Sequence, residues 1–198
     1  MRLVLAVVTI FSIGLGVGTM LYLTNLAIEV LVKLIELLLY ILIASIGISI
    51  ATEVSSVKEA VDSMEMSVRL IIATVLGSVI GGVIAASILH SNVVEYLAVA
   101  LGMGWYTFTG SYLATIDSYL GLLGFTANML REIITYILYP VLSRRYAIEA
   151  ISIGGATTMD TTLPIIARFT DSRTSLTAFI HGLILTLIIP VVLPILLH

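Results

Sequence analysis

A single carboxylate, Asp160, lies in the segment "GGATTMDTTLP" at residues 154–164, between strongly apolar stretches. Four hydroxyl-bearing side chains surround it in sequence: Thr157, Thr158, Thr161 and Thr162. A carboxylate among hydroxyl oxygens can bind a cation or a proton, and an ionisable group within apolar sequence is costly unless it has such a role. We therefore expect Asp160 to bind a cation or proton, with the threonines supplying further oxygens.

The same residues also match a helix-capping pattern. Thr157 and Asp160 have the spacing of a capping box, in which Thr157 is the N-cap and Asp160 the third helical residue. In this interpretation Asp160 caps a half-helix, and the two roles are compatible with each other.

Three residues of the segment predict that its helix is discontinuous. Gly154 and Gly155 permit a turn or a close backbone approach. Pro164 lacks an N–H and disfavours helical geometry at Leu163. We expect a break in this region, which must be buried or line a cavity if the segment lies within a membrane.

Other polar residues capable of chemistry lie in two further apolar stretches. Arg131 and Glu132 are adjacent in "GFTANMLREIITYILYP", with Asn128 one turn before Glu132 on the same helix face. Neighbours in sequence point in different directions, so we expect each charge to find its partner on another helix. An interhelical salt bridge and a substrate or proton role for Glu132 both remain open. His181 is either a packing histidine or a proton carrier.

A second unusual stretch, "GMGWYTFTGSYLAT" at 102–115, contains Trp105, Tyr106 and Thr109. An aromatic belt at a membrane interface explains the Trp and Tyr but not the glycines and threonines. We therefore predict a second unwound or tightly packed element that faces the segment at 154–164. Two broken helices that meet are typical of secondary transporters.

The remaining charges near membrane depth favour an interfacial interpretation. Glu29, Lys33 and Glu36 have i, i+4, i+7 spacing and share one helix face, which predicts an ion-pair ladder near a helix end. Glu95 also lies near the start of its segment.

Composition identifies the elements that must position these groups. Of 198 residues, 60% are hydrophobic and 11% charged, and the mean hydropathy is +1.18. A spanning helix needs about 20 apolar residues. The sequence predicts an all-α, polytopic protein of the cell membrane, in contact with lipid, with one transporter domain at 1–198 and a polar extramembrane loop or surface helix at 51–67. Seven hydrophobic segments are expected, near 3–23, 26–50, 68–89, 93–115, 119–142, 146–167 and 174–197, with discontinuous helices near 102–115 and 154–164.

Composition also excludes several classes of function. The chain has no cysteine, which excludes disulfides, thiol chemistry and Cys-ligated zinc. Its net charge of −3 gives no electrostatic footprint for nucleic acid. The sequence contains no P-loop, and we expect no cofactor or metal.

Four motifs in order, "GMGWYTFTG", "TANMLREIITYILYPVLSRR", "GGATTMDTTLPII" and "HGLILTLIIPVVLPIL", resemble the lysine exporter LysO family. The resemblance implies export of L-lysine and its toxic analogues from the cytoplasm, and it implies that intramembrane acids are required. Carried over to this chain, it points to Asp160 and the Arg131–Glu132 pair, with four residues near the site: Trp105, Tyr106, Thr109 and Asn128. Longer members have additional N-terminal helices with another acid. We expect a homodimer, a small N-terminal partner subunit, or the first helices of this chain to replace them.

These observations predict a secondary antiporter. Protons moving inward on Asp160 or Glu132 would alternate with lysine moving outward, while Arg131 or a half-helix N-terminus would bind the α-carboxylate. The alternatives are a passive cation-selective channel and an intramembrane enzyme. An aspartyl protease requires two carboxylates that share a proton, and Asp160 has no partner motif of that type.

Overall fold

The computed structural model of the protein describes residues 2–23, 37, 41, 44, 45, 48 and 57–197. Regular structure in these residues is entirely helical. The chain divides into two compact units, Met1–Ala44 and Ser45–His198. The first contains the apolar helix α1 (Arg2–Leu23). The predicted ladder of Glu29, Lys33 and Glu36 lies outside the described residues.

The second unit contains seven α-helices and a 3₁₀ helix within its described residues. They are α2 (Val57–Ile88), α3 (Val93–Ala100), α4 (Tyr106–Ala114), α5 (Ser118–Tyr146), α6 (Ile151–Gly154), the 3₁₀ helix (Gly155–Met159), α7 (Leu163–Phe169) and α8 (Ser172–Leu197).

Two described helices are long and apolar enough to cross a membrane. These are the 28 residues Val61–Ile88 of α2 and the 26 residues of α8. By length and composition these two helices are consistent with the membrane protein that the sequence predicts, whereas seven spans remain a prediction. The described part of the polar segment at 51–67, residues 57–67, forms the first turns of α2.

Buried hydroxyl groups hold α2 against α8. The Ser67 hydroxyl lies 2.8 Å from the carbonyl oxygen of Thr177 on α8 and 2.7 Å from that of Ser63 on its own helix. Both serines are fully buried. Small polar residues of this kind let apolar helices approach closely and hydrogen-bond within a membrane.

Short turns and glycines arrange the helices that follow. Asp117 caps α5 by accepting a hydrogen bond from the Leu120 N–H at 2.8 Å. A Cβ on Gly121 would lie 2.5 Å from the Ala114 Cβ, so α4 and α5 pack with no room for a side chain there.

Both predicted discontinuities are present. α3 and α4 are separated by turns at 101–105, and the chain passes from α6 through the 3₁₀ helix to α7 within 151–169. Our expectation that Pro164 forces Leu163 out of helical geometry is wrong. Leu163 begins α7, because a proline in the first turn of a helix removes an N–H that has no intrahelical acceptor.

Candidate functional site

The two breaks meet backbone to backbone. The Ala156 N–H donates to the Met103 carbonyl at 2.8 Å. Gly104 and Gly155 adopt positive φ angles of +99° and +64°. A Cβ on Gly155 would lie 1.9 Å from the Met103 oxygen, and one on Gly104 would lie 2.6 Å from the Gly154 oxygen. Glycine is therefore required on both sides of this contact, which we call the crossing.

Asn128 of α5 fixes the first break. Its Oδ1 accepts from the Gly104 N–H at 2.7 Å, and its amide nitrogen donates to the carbonyls of Val99 and Gly124, both at 2.9 Å. An asparagine amide has two hydrogens, and both are used here. Asn128 therefore holds the break in place and has no donor left for a substrate.

Arg131, on the same helix, holds the second break. Its Nε donates to the Ile153 carbonyl at 2.7 Å and its Nη2 to that of Ser152 at 3.1 Å, which satisfies carbonyls at the end of α6. Its Nη1 donates to the Ser78 hydroxyl of α2 at 3.1 Å. The interhelical salt bridge that we considered for Arg131 is not formed within the described residues, because the guanidinium binds backbone carbonyls instead.

Asp160 follows the 3₁₀ helix directly. Its Oδ1 accepts from the Thr161 N–H at 2.6 Å. The predicted capping box is wrong: the Thr157 hydroxyl donates back to the Gly154 carbonyl at 2.9 Å, and Asp160 is the C-cap of the 3₁₀ helix. The chain adopts 3₁₀ geometry over 155–159, and the Asp160 carboxylate that follows contacts the backbone N–H of the next residue.

Glu132 of α5 lies beside Asp160. The hydroxyls of Tyr106 and Thr161 flank the Glu132 carboxyl group, and the Asp160 carboxylate is within electrostatic range. The Tyr136 hydroxyl donates to the Thr161 carbonyl and holds this turn against α5. Among the described residues the two ion pairs are both elsewhere, on α2 and at the start of α8, so neither acid has a cationic partner there.

Most buried side-chain polar atoms of the described residues have a hydrogen-bond partner, and the Thr161 hydroxyl is one of the exceptions. It is buried and makes no hydrogen bond of normal geometry in the described chain, although it lies beside both carboxylates. An unsatisfied buried hydroxyl costs about 1–3 kcal/mol. Its position next to two acids indicates a place for a ligand.

A cavity of about 90 Å³ opens at Asp160. We call it the acidic cavity, and its lining is Gly104, Trp105, Tyr106, Thr107, Ala156, Thr157, Met159, Asp160, Thr161 and Thr186. Met159, Thr186 and Tyr136 were not among the predicted site residues. The sequence signal for Thr186 and Tyr136 is weak, since their contribution depends on which face of α8 or α5 meets the break.

His181 and Thr158 form a separate buried network. His181 Nε2 lies 2.9 Å from the Thr74 hydroxyl of α2, and its Nδ1 lies 3.0 Å from the Thr158 hydroxyl. The single hydrogen of Thr158 faces the Gly155 and Ala178 carbonyls, each at 2.8 Å, so Nδ1 must be the donor. His181 Nδ1 therefore carries a hydrogen, and the side chain links α2, the 3₁₀ helix and α8.

Thr109 also lies away from the acidic cavity. Its hydroxyl is buried without a hydrogen bond in the described chain, and it packs against Gly102, where a Cβ would lie 2.4 Å from it. Five of the predicted residues line the acidic cavity: Asp160, Thr161, Thr157, Trp105 and Tyr106. A sixth, Glu132, does not line it but interacts with Tyr106, Thr161 and Asp160. The breaks place five others in supporting positions: Asn128, Arg131, His181, Thr158 and Thr109.

Comparison with known proteins identifies the family of the chain. The family model described as "Lysine exporter LysO" matches residues 8–197. The chain belongs to this family. No solved structure matches the chain.

Two relatives of the lysine exporter LysO family can be compared along part of their length. The chain is 36% identical over 109 residues to "Lysine exporter LysO" of Escherichia coli (strain K12), covering 54% of this chain and 36% of that protein. It is 33% identical over 110 residues to "Putative lysine exporter" of Haemophilus influenzae (strain ATCC 51907 / DSM 11121 / KW20 / Rd), covering 55% of this chain and 56% of that protein. The match thus spans about a third and just over half of the two relatives.

Proposed function

We propose that the protein exports L-lysine from the cytoplasm in exchange for protons, binding the side-chain ammonium group between Asp160 and Glu132. The observation that carries this proposal is the convergence of these two carboxylates, without a cationic partner in the described chain, at the crossing of two broken helices. Membership of a lysine exporter family supports the substrate and the class of transporter. The protein acts by binding and release, not as an enzyme.

Two nearby carboxylates in a poorly solvated site favour a shared proton, since like charges oppose the second ionisation. An arriving ammonium group removes this repulsion and allows the proton to leave. Cation and proton therefore compete for the same oxygens. One lysine cation exchanged for one proton moves no net charge, so the exchange should depend on a pH gradient and not on membrane voltage.

The remaining lining suits the rest of the lysine side chain. Trp105, Tyr106 and Met159 provide apolar and aromatic surface beside the acid. A long alkyl chain with a charged end packs its methylenes on such surface and keeps its head on polar groups. The Thr161 hydroxyl lies beside both carboxylates, and its oxygen can accept from the ammonium group.

The test measures efflux of labelled lysine from proteoliposomes with and without an imposed pH gradient. Asp160→Asn and Glu132→Gln should each lower gradient-driven efflux about tenfold to a hundredfold, because a hydrogen bond to a charged group contributes about 1.5–3 kcal/mol. Glu95→Gln is the matched control, since Glu95 is exposed at the start of α3.

Equal efflux from the parent and both acid variants would contradict the proposal. Lysine flux driven by voltage, without proton movement, would instead identify a passive channel. Proton release on lysine binding, measured with a pH dye on the purified protein, should be present in the parent and absent from both acid variants.

A further inference from the structure

A second cavity, of about 220 Å³, lies between α2, α3 and α5. Its polar lining is Ser78, Asn128 and Arg131, and the rest consists of small apolar positions. We call it the arginine cavity. It shares no lining residue with the acidic cavity. Next to the first break it is lined by Val99 and Ala100 at the end of α3, whereas the acidic cavity is lined by Gly104 and the residues that follow it.

The arginine cavity offers hydrogen-bond donors. A guanidinium has five N–H groups, and Arg131 uses three of them within the described chain. The Ser78 hydroxyl accepts from Arg131, and no described residue accepts its own hydrogen. Asn128 donates both of its amide hydrogens to backbone carbonyls and has none left for a ligand.

The residues that line the arginine cavity supply a positive charge and unused hydrogen-bond donors, and none of them is a carboxylate. Such a lining favours binding of an anion. One N–H on each of Nη1 and Nη2 remains, and a guanidinium can donate such N–H groups to a carboxylate. Burial of the cation among small apolar residues increases the gain from such a partner. The geometry also leaves space at the entrance, since a Cβ on Gly77 or Gly81 would have no heavy atom within 4 Å.

We propose that the arginine cavity binds a carboxylate, namely the α-carboxylate of the transported amino acid, held by Arg131 and Ser78. The identity of the ligand rests on the proposed function. The two ends of lysine are then recognised by different residues: the acidic cavity selects the ammonium group, and the arginine cavity selects the carboxylate. A diamine without a carboxylate engages the first cavity alone.

The test uses single cysteines, because the chain has none of its own. Gly77→Cys places a thiol in the arginine cavity, and Thr186→Cys places one in the acidic cavity. Each full-length variant in proteoliposomes is labelled with a sulfonate-bearing methanethiosulfonate. Labelling is repeated with lysine, with norleucine, which lacks the side-chain amine, and with cadaverine, which lacks the carboxylate.

Lysine and norleucine should protect Gly77→Cys, and cadaverine should not. A ligand at about ten times its dissociation constant leaves about a tenth of the sites free, so labelling should slow about tenfold. Adding Ser78→Ala should weaken protection by norleucine about fivefold, through loss of one hydrogen bond, and leave the Arg131 contacts to α6 intact.

Thr186→Cys distinguishes the two proposals. Protection there by lysine and cadaverine, but not by norleucine, is expected from the proposed function, and its absence counts against that function alone. At Gly77→Cys, equal protection by cadaverine, no protection by either carboxylate, or no reaction with the reagent would each overturn the carboxylate site. Protection by chloride or sulfate in place of norleucine would identify a general anion site and would overturn recognition of the amino acid.

Discussion

Gly155→Ala should strongly destabilise the protein, because the crossing leaves no space for a methyl group. The added Cβ would lie 1.9 Å from the Met103 oxygen, and Gly155 has φ +64°. A side chain held in a conformation restricted to glycine costs about 1–3 kcal/mol. Relief of the overlap adds about 1–3 kcal/mol. Separation of the two segments also loses the hydrogen bond from Ala156 to Met103, about 0.5–1.5 kcal/mol.

The sum is about 3–7 kcal/mol, a large part of the 5–15 kcal/mol that stabilises a typical domain. For a chain of this size, 1 kcal/mol shifts Tm by about 2–4 °C, so we expect Tm to fall by about 6–28 °C. The assay is thermal unfolding of the purified protein in detergent, followed by loss of helical circular dichroism.

Gly81→Ala is the matched control. Gly81 lies within α2 and a Cβ there would meet no heavy atom within 4 Å. Because alanine is favoured over glycine in a helix by about 1 kcal/mol, this variant should melt at or slightly above the parent. Two variants with the same Tm would refute the backbone contact between the breaks, since the same methyl group would then be tolerated at both positions.

Further substitutions separate residues that position the breaks from residues that bind the ligand. Asn128→Asp keeps the acceptor but loses two donors to backbone carbonyls, so we expect a loss of about 2–4 kcal/mol in unfolding free energy, measured by chemical denaturation. The amide of His181→Asn can still donate to the Thr158 hydroxyl of the second break, whereas the longer amide of His181→Gln reaches towards Thr74 of α2 instead. The Asn variant should therefore retain more lysine efflux than the Gln variant. ¹⁵N NMR of the parent should show a hydrogen on His181 Nδ1 throughout pH 6–8, and an Nδ1 without a hydrogen would contradict the hydrogen-bond assignment.

The breaks could be predicted from sequence because their causes are local. Gly104 and Gly155 adopt positive φ angles that glycine tolerates best, and both glycines are visible in the sequence, whereas Pro164 lies in the first turn of α7 and does not disrupt it. The all-helical class follows from composition in the same way. The fine geometry of the second break could not be predicted, because the 3₁₀ turn depends on its contact with the first break.

The role of each polar residue was less predictable than its presence. Asn128, Arg131 and Glu132 are almost consecutive on α5, and the sequence gives no reason to separate them. In the structure Asn128 and Arg131 point to backbone groups of the two breaks, whereas Glu132 interacts with Tyr106, Thr161 and Asp160, which line the acidic cavity. That division depends on which helices pack on each face of α5, and neighbouring sequence does not contain this information.

Unused hydrogen-bonding capacity is the feature that distinguishes the two groups. Asn128 and Thr158 have no free donor, so a ligand could bind them only by breaking the structure that holds the crossing together. Thr161, Glu132 and Asp160 retain capacity and lie together. Arg131 belongs to both groups, since it uses three N–H groups on its surroundings and keeps two. It is therefore the residue through which occupation of the arginine cavity can be coupled to the position of α6, and hence to the crossing.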